Sequence, residues 1–476
     1  MEYRNFIGGD WVACGTGRAN VNPSDVTDII GHAAQAGEGE LDAAIAAAHA
    51  AAPIWAASTP QQRFDALDFT GTELLARKEE LGRLLSREEG KTLAEGIGEV
   101  ARAGQIFKFF AGEALRQTGD RLASVRPGVE VEVTRAPVGV VGLITPWNFP
   151  IAIPAWKIAP ALAHGNAVVL KPADLVPGCA YALVEILSRA GLPAGVVNLV
   201  MGRGSELGPR LVSDARVNAI SFTGSVATGR GIAAACGAAM KKVQLEMGGK
   251  NPMVVLDDAD LDLAVAACLN GAFFSTGQRC TASSRLILTE GVHDRFVAAL
   301  TAAMRDLRVG DALDPATQMG PVVDARQLEQ NLGYIEIAQA EGGTVTGGER
   351  LALDKDGFYM APALVTETTP NMRINREEVF GPVASVLRVR DYDEALAVAN
   401  ATEFGLSAGI CTTSLKQASH FKANARAGMV MVNLPTAGVD YHVPFGGTKG
   451  SSHGAREQGT YAAEFYTTVK TAYTLP

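Results

Sequence analysis

Apolar positions along the chain recur with two different periods. The Ala-rich run ELDAAIAAAHAAAPIWAA (40–57) reads as helix, and Pro60 to Leu85 continues with apolar residues three and four apart. The first 120 residues are therefore expected to be largely helical. At VEVEVTRAPVGVVGLITPWNFP (129–150) the pattern changes to alternation, which predicts a projecting hairpin strand that runs on into an apolar β-branched segment. Short apolar strands at 167–172, 196–202, 219–225 and 241–249 then alternate with helices at 178–191, 205–214 and 228–239. Such alternation is the signature of a parallel sheet covered by helices on both faces. It resumes over 250–440, with NPMVVLDD and SSRLILTE as strands, so two α/β domains of comparable size are expected. The final segment, TYAAEFYTTVKTAYTLP (460–476), is rich in β-formers and suits pairing with 129–135 or with another subunit.

Composition narrows the class without changing this picture. A chain of 476 residues is too long for one core, and its 47% hydrophobic and 20% charged residues are those of a soluble globular protein. The 42 basic against 51 acidic residues include no Lys/Arg block, which argues against nucleic acid and anionic membranes and for a small-molecule partner. The N-terminus MEYRNFIGGDW has no apolar signal-like region, so a cytoplasmic location is expected. The most apolar region, 144–170, is interrupted by Pro146, Pro150, Pro154, Lys157 and Pro160 and does not suit a membrane span. Six cysteines are scattered without a CxxC pair, so neither a structural zinc site nor a disulfide framework is expected, and no metal is assigned.

Several turns at strand ends could hold a nucleotide cofactor. Gly202-Arg-Gly204-Ser-Glu-Leu-Gly208 and Phe222-Thr-Gly224-Ser225-Val-Ala-Thr-Gly229 each join a strand to a helix, where a helix N-terminus can meet a pyrophosphate. Their other reading is a tight βα turn and nothing more. Lys171, at the carboxyl edge of another strand, could reach a ribose hydroxyl or phosphate, or be a solvated loop lysine. Asp174 could accept from the adenosine ribose, and its charge would oppose a 2′-phosphate, which favours NAD over NADP.

Chemistry centres on STGQRCTASSR (275–285), where Cys280 stands among small hydroxyl residues that make a poor helix face. It is either a nucleophile or one more buried thiol. A free thiol is only about 3% thiolate at pH 7 and needs a base. Glu246 in LEMGGKN, if held in an apolar pocket, would titrate near neutrality and could take a proton from a thiol or a water. Asn148 in TPWNFP is either a turn residue or a fixed donor to an oxyanion, with the Cys280 backbone N–H as second donor.

TPWNFP, LKPAD (170–174), FTGS (222–225), LEMGGKN (245–251), GQRC (277–280), REEVFGP (376–382) and PFGGTKGS (444–451), in this order and spacing, resemble the aldehyde dehydrogenase superfamily over nearly the whole chain. The resemblance implies a Rossmann-like cofactor domain (1–121 and 140–248), an α/β catalytic domain (249–448) and a β oligomerisation flap (122–139 and 460–476) in a homodimer or homotetramer. It implies Cys280 as nucleophile, Asn148 as oxyanion donor and Glu246 as base. It places NAD, or NADP, against Lys171, Ser225, Glu378 and Phe380, with Ile144, Thr145, Pro146, Trp147, Asp174, Gly204, Gly208, Phe222, Gly224, Gly229 and Gly248 completing that site.

By the same matching, the substrate tunnel is walled by Arg102, Phe149, Ile153, Trp156, Phe274, Arg279 and Phe445. Two arginines in an apolar tunnel suggest an aldehyde with a distal carboxylate, unless Arg102 points to solvent and Arg279 pairs with a protein acid. The run 438–459 and GQRC are similar to the 2,5-dioxovalerate (α-ketoglutaric semialdehyde) dehydrogenase branch, whose product is 2-oxoglutarate and which serves bacterial sugar catabolism. Thr448 departs from the arginine of that pattern. Succinic, glutaric and aminoadipic semialdehyde dehydrogenases are the alternatives. A cysteine esterase without a redox step is a remoter one, against which Lys171, Ser225 and Glu378 argue.

Overall fold

The computed structural model describes residues 1–13 and 17–476. Its centre is an eight-stranded sheet and a seven-stranded sheet, accompanied by two three-stranded sheets. In the larger one, Lys242–Glu246, Ala219–Thr223, Val140–Ile144, Ala167–Lys171 and Val197–Leu199 run parallel in that spatial order. These strands are almost wholly buried, as expected for a parallel sheet with helices on both faces. Chain order reverses at Val140–Ile144: the next strand in sequence lies on one side of it and Ala219–Thr223 on the other. A crevice opens at the carboxyl ends of the strands flanking such a reversal.

In the second sheet Ser283–Thr289 is the middle strand, with Asn251–Val255 between it and Ser407–Cys411. The chain passes from the first sheet to the second between Lys242–Glu246 and Asn251–Val255. Asp120–Ala123, Glu130–Pro137 and Thr467–Thr474 form an antiparallel sheet whose C-terminal strand is exposed along nearly all its length. Residues 460–466, expected to be β, instead form a 3₁₀ turn and a short helix before that strand.

The N-terminus also departs from expectation. Helices occupy Glu38–Ala56, Pro60–Ala76, Lys78–Glu89 and Leu93–Leu115, but the described residues within 2–33 form five strands of two to nine residues. Asn5–Ile7 and Asp10–Val12 extend the edge of the eight-stranded sheet by pairing with Val197–Leu199 and with each other. Strands of three residues carry too little periodicity to be read locally, because a distant partner supplies their hydrogen bonds. Among the described residues no helix is long and apolar enough to cross a membrane, and the apolar stretch 144–170 divides into the Ala152–Ala163 helix and the Ala167–Lys171 strand. Cys179, Cys236, Cys268 and Cys411 are buried free thiols, while Cys14 lies outside the described residues.

Candidate active site

Two cavities meet at Cys280. The larger, of about 600 Å³, occupies the crevice of the eight-stranded sheet and is walled by residues that follow its strands: Pro146, Trp147 and Asn148; Asp174; Gly224 and Ser225; and Gly248. Glu378 and Phe380, just before the Val383–Val389 strand of the seven-stranded sheet, close it from the opposite side. The smaller, of about 280 Å³, is walled by Arg102, Phe149, Trp156, Arg279 and Phe445, joined by Ala437, Gly438 and Val439. Cys280 lines both cavities.

The backbone before Cys280 is held in a conformation that side chains resist. Ser275 and Thr276 have φ of 51° and 54°, left-handed values that cost a β-branched residue most. Gly277 continues the turn at φ 63°, and a Cβ there would lie 2.1 Å from the Gly381 carbonyl oxygen. Side chains from distant elements fix the strained segment. Glu95 Oε1 accepts from the Ser275 N–H at 2.8 Å and its hydroxyl at 3.0 Å, Thr276 Oγ1 donates to the Gly320 carbonyl, and Asn251 Nδ2 donates to the Cys280 carbonyl at 2.8 Å. Although Cys280 keeps part of its surface open to the cavities, the surrounding protein desolvates the thiol. Burial, with the like charges of Glu378 and Glu246, pushes its pKa up to about 12.

Asn148 is buried, with Nδ2 donating to the Gln278 carbonyl at 3.0 Å. One amide proton is used there and the second remains for a group bound beside Cys280. Lys91 fixes the Asn148 backbone by donating to its carbonyl at 2.7 Å and pairs with Glu99 at 2.7 Å. Glu99 in turn accepts the N–H groups of Ile151 and Ala152, where the Ala152–Ala163 helix begins.

Glu246 ends the Lys242–Glu246 strand but lines neither cavity; its Oε2 accepts from the Ser452 hydroxyl at 2.5 Å. Burial first, then the charge of Glu457, holds its pKa well above the usual carboxylate range. Glu378 accepts from the Gly249 N–H at 2.8 Å, and burial lifts it to about 7.

The remaining cofactor candidates divide by position. Trp147 and Phe380 pack edge to face at 5.4 Å in the wall of the larger cavity. Ser225 caps the Val226–Ala238 helix, whose N-terminus therefore faces the crevice. Lys171 and Asp174 form an ion pair of 2.7 Å, and Arg18, from an N-terminal strand, reaches Asp174 at 3.5 Å and lines the same cavity. Ile144, Thr145, Lys171, Gly204, Gly208, Phe222 and Gly229 do not contribute to the cavity wall. Phe222 is core, and Gly229 is a packing glycine: a Cβ there would strike the Met247 sulfur at 2.4 Å.

In the smaller cavity the two arginines differ. Arg279 pairs with Glu95 at 3.1 Å and donates to Asn270, so the protein-acid alternative holds for this residue. Arg102 does not point to solvent: it lines the cavity, stands 5.8 Å above the Trp156 ring and donates to Gln458 at 3.2 Å. Among the described residues it has no carboxylate within ion-pair distance, and burial pulls its ionisation down. Trp156 stacks on Phe445 at 5.5 Å. Ile153 lines the larger cavity instead, and Phe274 packs into the core of the second domain.

Glu95, Glu99, Lys91 and Gln458 were not singled out from the sequence. A usable signal existed for the first two: Glu95, Glu99 and Arg102 fall three and four residues apart on the Leu93–Leu115 helix, hence on one face. Lys91 and Gln458 carried none.

Residues 11–472 match the aldehyde dehydrogenase family. The chain is 44% identical to the alpha-ketoglutaric semialdehyde dehydrogenase of Bacillus subtilis, covering 100% of this chain and 98% of that one. It is 43% identical to the alpha-ketoglutarate semialdehyde dehydrogenase of Haloferax volcanii, over 99% and 98%. The betaine aldehyde dehydrogenase of Staphylococcus aureus, solved in complex with NAD+, superimposes with a TM-score of 0.97 at 34% identity, over 99% of this chain and 95% of that one. The strained cysteine turn, the switch-point crevice and the match over almost the whole chain have one common account: the protein belongs to the aldehyde dehydrogenase family.

Proposed function

We propose that this enzyme oxidises alpha-ketoglutaric semialdehyde (2,5-dioxovalerate) to 2-oxoglutarate with NAD, the aldehyde entering the smaller cavity and the cofactor the larger. The observation that carries this reading is Cys280 at the junction of the two cavities, with a buried arginine that has no carboxylate within ion-pair distance in the smaller one. We assign the eight-stranded sheet and its helices to the cofactor and the seven-stranded sheet to catalysis. The exposed Thr467–Thr474 strand, with Val469 and Tyr473 open to solvent, is assigned to subunit contact in a homo-oligomer.

The larger cavity fits a dinucleotide in size and chemistry. A Cβ on Gly248 would lie 2.1 Å from Glu378, so only glycine leaves that wall open, and the capped helix N-terminus favours phosphate. Asp174 and Glu378, on the cavity wall, are the hydrogen-bonding groups for its riboses, with Lys171 behind Asp174 at 2.7 Å and turning toward the cofactor only if that pair opens. Arg18 offsets the Asp174 charge, which leaves room for NADP as well. When bound, the cofactor accepts hydride.

The chain's own residues supply the rest. The Cys280 thiol gives its proton to Glu246, which turns from Ser452 and passes it to solvent. The thiolate adds to the aldehyde carbon, forming a C–S bond as the C=O π bond opens, while the Asn148 amide donates to the oxygen that becomes an alkoxide. The carbonyl re-forms as hydride leaves that carbon, giving a thioester on Cys280. Glu246, released from Ser452, takes a proton from water, whose oxygen attacks the thioester and expels the thiolate. Burial and the charge of Glu457 make its carboxylate a stronger base than an ordinary one.

A cationic aldehyde such as betaine aldehyde would meet Arg102 unfavourably, whereas a carboxylate would complete it. The test compares kcat/KM, followed at the NADH band, for 2,5-dioxovalerate, succinic semialdehyde, betaine aldehyde and pentanal. The carboxylated substrates should lead. Faster turnover of pentanal or betaine aldehyde, or ester cleavage without NADH formation, would refute the assignment.

A further inference from the structure

Glu95 joins two structures that the chain keeps 180 residues apart. It is the third residue of the Leu93–Leu115 helix, which Thr92 caps: Thr92 Oγ1 accepts from the Glu95 N–H at 3.4 Å, and Glu95 Oε2 accepts from the Thr92 N–H at 3.1 Å and its hydroxyl at 2.9 Å. Such a box needs only one acceptor oxygen. The Thr59–Gln62 box of the Pro60–Ala76 helix manages with an amide. Glu95 has a second oxygen, and it points the other way: Oε1 accepts from the Ser275 N–H, the Ser275 hydroxyl and Arg279 Nη2 at 2.8, 3.0 and 3.1 Å. The carboxylate is thereby fully engaged.

The helix end of this link is firmly seated. Gly96 packs so closely on the Lys78–Glu89 helix that a Cβ there would lie 2.4 Å from Ser86 Oγ and 2.6 Å from the Gly82 carbonyl oxygen. Ser86 Oγ donates to the Thr92 carbonyl at 3.1 Å, and the Leu93 N–H donates to the Ala312 carbonyl at 2.9 Å. The other end is strained, since Ser275 and Thr276 hold φ of 51° and 54° without being glycine. Backbone of this kind persists only where its surroundings over-determine it. Thr276 Oγ1 donates to the Gly320 carbonyl at 3.1 Å and Gln278 Oε1 accepts from the Val323 N–H at 3.0 Å, so residues 320–323 hold one side of the turn and Glu95 the other.

Resting on Cys280 as the nucleophile, we infer that Glu95 is its positioning residue: by clamping Ser275 to a seated helix it keeps the turn left-handed and so sets where the Cys280 sulfur stands between the two cavities. One carboxylate serves as helix cap with one oxygen and as brace of the nucleophile turn with the other. Without Oε1 the turn relaxes toward ordinary backbone, and a reacting atom displaced by about 1 Å costs roughly 100-fold in rate. Binding of the dinucleotide, whose cavity Glu95 does not line, is untouched.

The experiment measures kcat, KM and the Kd of NAD for the full-length enzyme as wild type, Glu95→Ala, Ser275→Gly and the double variant. It uses both 2,5-dioxovalerate and pentanal, since release of Arg279 acts on a charged aldehyde alone. Glu95→Ala should lower kcat for both by roughly 30- to 100-fold and leave the Kd of NAD unchanged. Glycine adopts a φ of 51° freely, so on the Ser275→Gly background the loss from Glu95→Ala should shrink to below about tenfold. Thr92→Ala weakens the cap but spares Oε1; it should lower the denaturant midpoint while kcat stays within about twofold. If Glu95→Ala does not fold, Glu95→Gln, which keeps a single acceptor oxygen, takes its place in the same cycle with a smaller drop. No loss of kcat, a loss equal on the two backgrounds, or one matched by Thr92→Ala would show that Glu95 serves its helix alone and overturns the inference. Turnover surviving in Cys280→Ala overturns the reading of the nucleophile and the inference with it.

Discussion

The thiol at the cavity junction should be far less reactive in the free enzyme than its surroundings suggest. Burial, and then the like charges of Glu378 and Glu246, push Cys280 up to about 12. At pH 8 an ordinary thiol is about one-quarter thiolate, whereas one with pKa near 12 is about 10⁻⁴ thiolate, roughly 2,400-fold less. A more basic thiolate is intrinsically the better nucleophile. With a Brønsted coefficient of about 0.4–0.5, the difference of 3.5 pKa units returns roughly 25- to 55-fold, leaving a net deficit of about 40- to 100-fold. The measurement is alkylation of the cofactor-free enzyme by iodoacetamide between pH 7 and 10, quantified on the Cys280 peptide by mass spectrometry. The rate should climb about tenfold per pH unit with no plateau, since the range lies wholly below the raised pKa. Levelling off below pH 9 would show that the thiol is not desolvated as the structure has it. Glu378→Gln removes one of the like charges and should speed alkylation at pH 8.

Other substitutions address single contacts. Asn148→Ala should lower kcat by about 10²- to 10³-fold while Cys280 alkylation continues, which separates loss of the oxyanion donor from loss of the nucleophile. Glu246→Gln should give a burst of about one NADH per site followed by slow turnover, because the thioester then waits for an unassisted water; a burst no larger than that of wild type would argue against Glu246 as base. Arg18→Ala exposes the Asp174 carboxylate and should weaken NADP more than NAD in a direct binding titration, by roughly 5- to 10-fold. Glu99→Ala removes the hydrogen-bonded partner of buried Lys91, leaving Glu89 at 3.9 Å, and uncaps the Ala152–Ala163 helix, so unfolding stability should fall by about 2–4 kcal/mol, read as a shifted denaturant midpoint.

How far such features could be read from the chain depended on where their physics resides. The parallel strands of both sheets were legible because each is an apolar run set off by glycines and followed by a helical period, so local composition matches the final environment. The strands within residues 2–33 were not, since their pairing partners lie far along the chain. Phe222 and Gly229 show the converse ambiguity. A strand-to-helix glycine turn is compatible both with a phosphate and with close packing, and only contact with Met247 assigns Gly229 to packing.

The two arginines carry this argument to the site. Arg279 precedes the nucleophile and drew attention by adjacency, yet its charge is answered by Glu95, a residue 184 positions away that also fixes the Ser275 backbone. A guanidinium so matched serves the turn before it serves a substrate. Arg102 gave no more signal than a charge on a helix, but it faces the cavity with an amide, and not an acid, as its partner. Charge alone does not make an anion site; a buried charge with no carboxylate in ion-pair contact is a better one, even with Glu99 and Asp440 acting on Arg102 from further off, because more of the cost of burying it is recovered when an anion arrives. Arg102→Leu should therefore raise KM for carboxylated aldehydes far more than for pentanal. Arg279→Leu should instead lower kcat for every aldehyde, through the turn that holds Cys280. Equal effects of the two substitutions on a single set of steady-state assays would show that the protein does not divide the labour in this way.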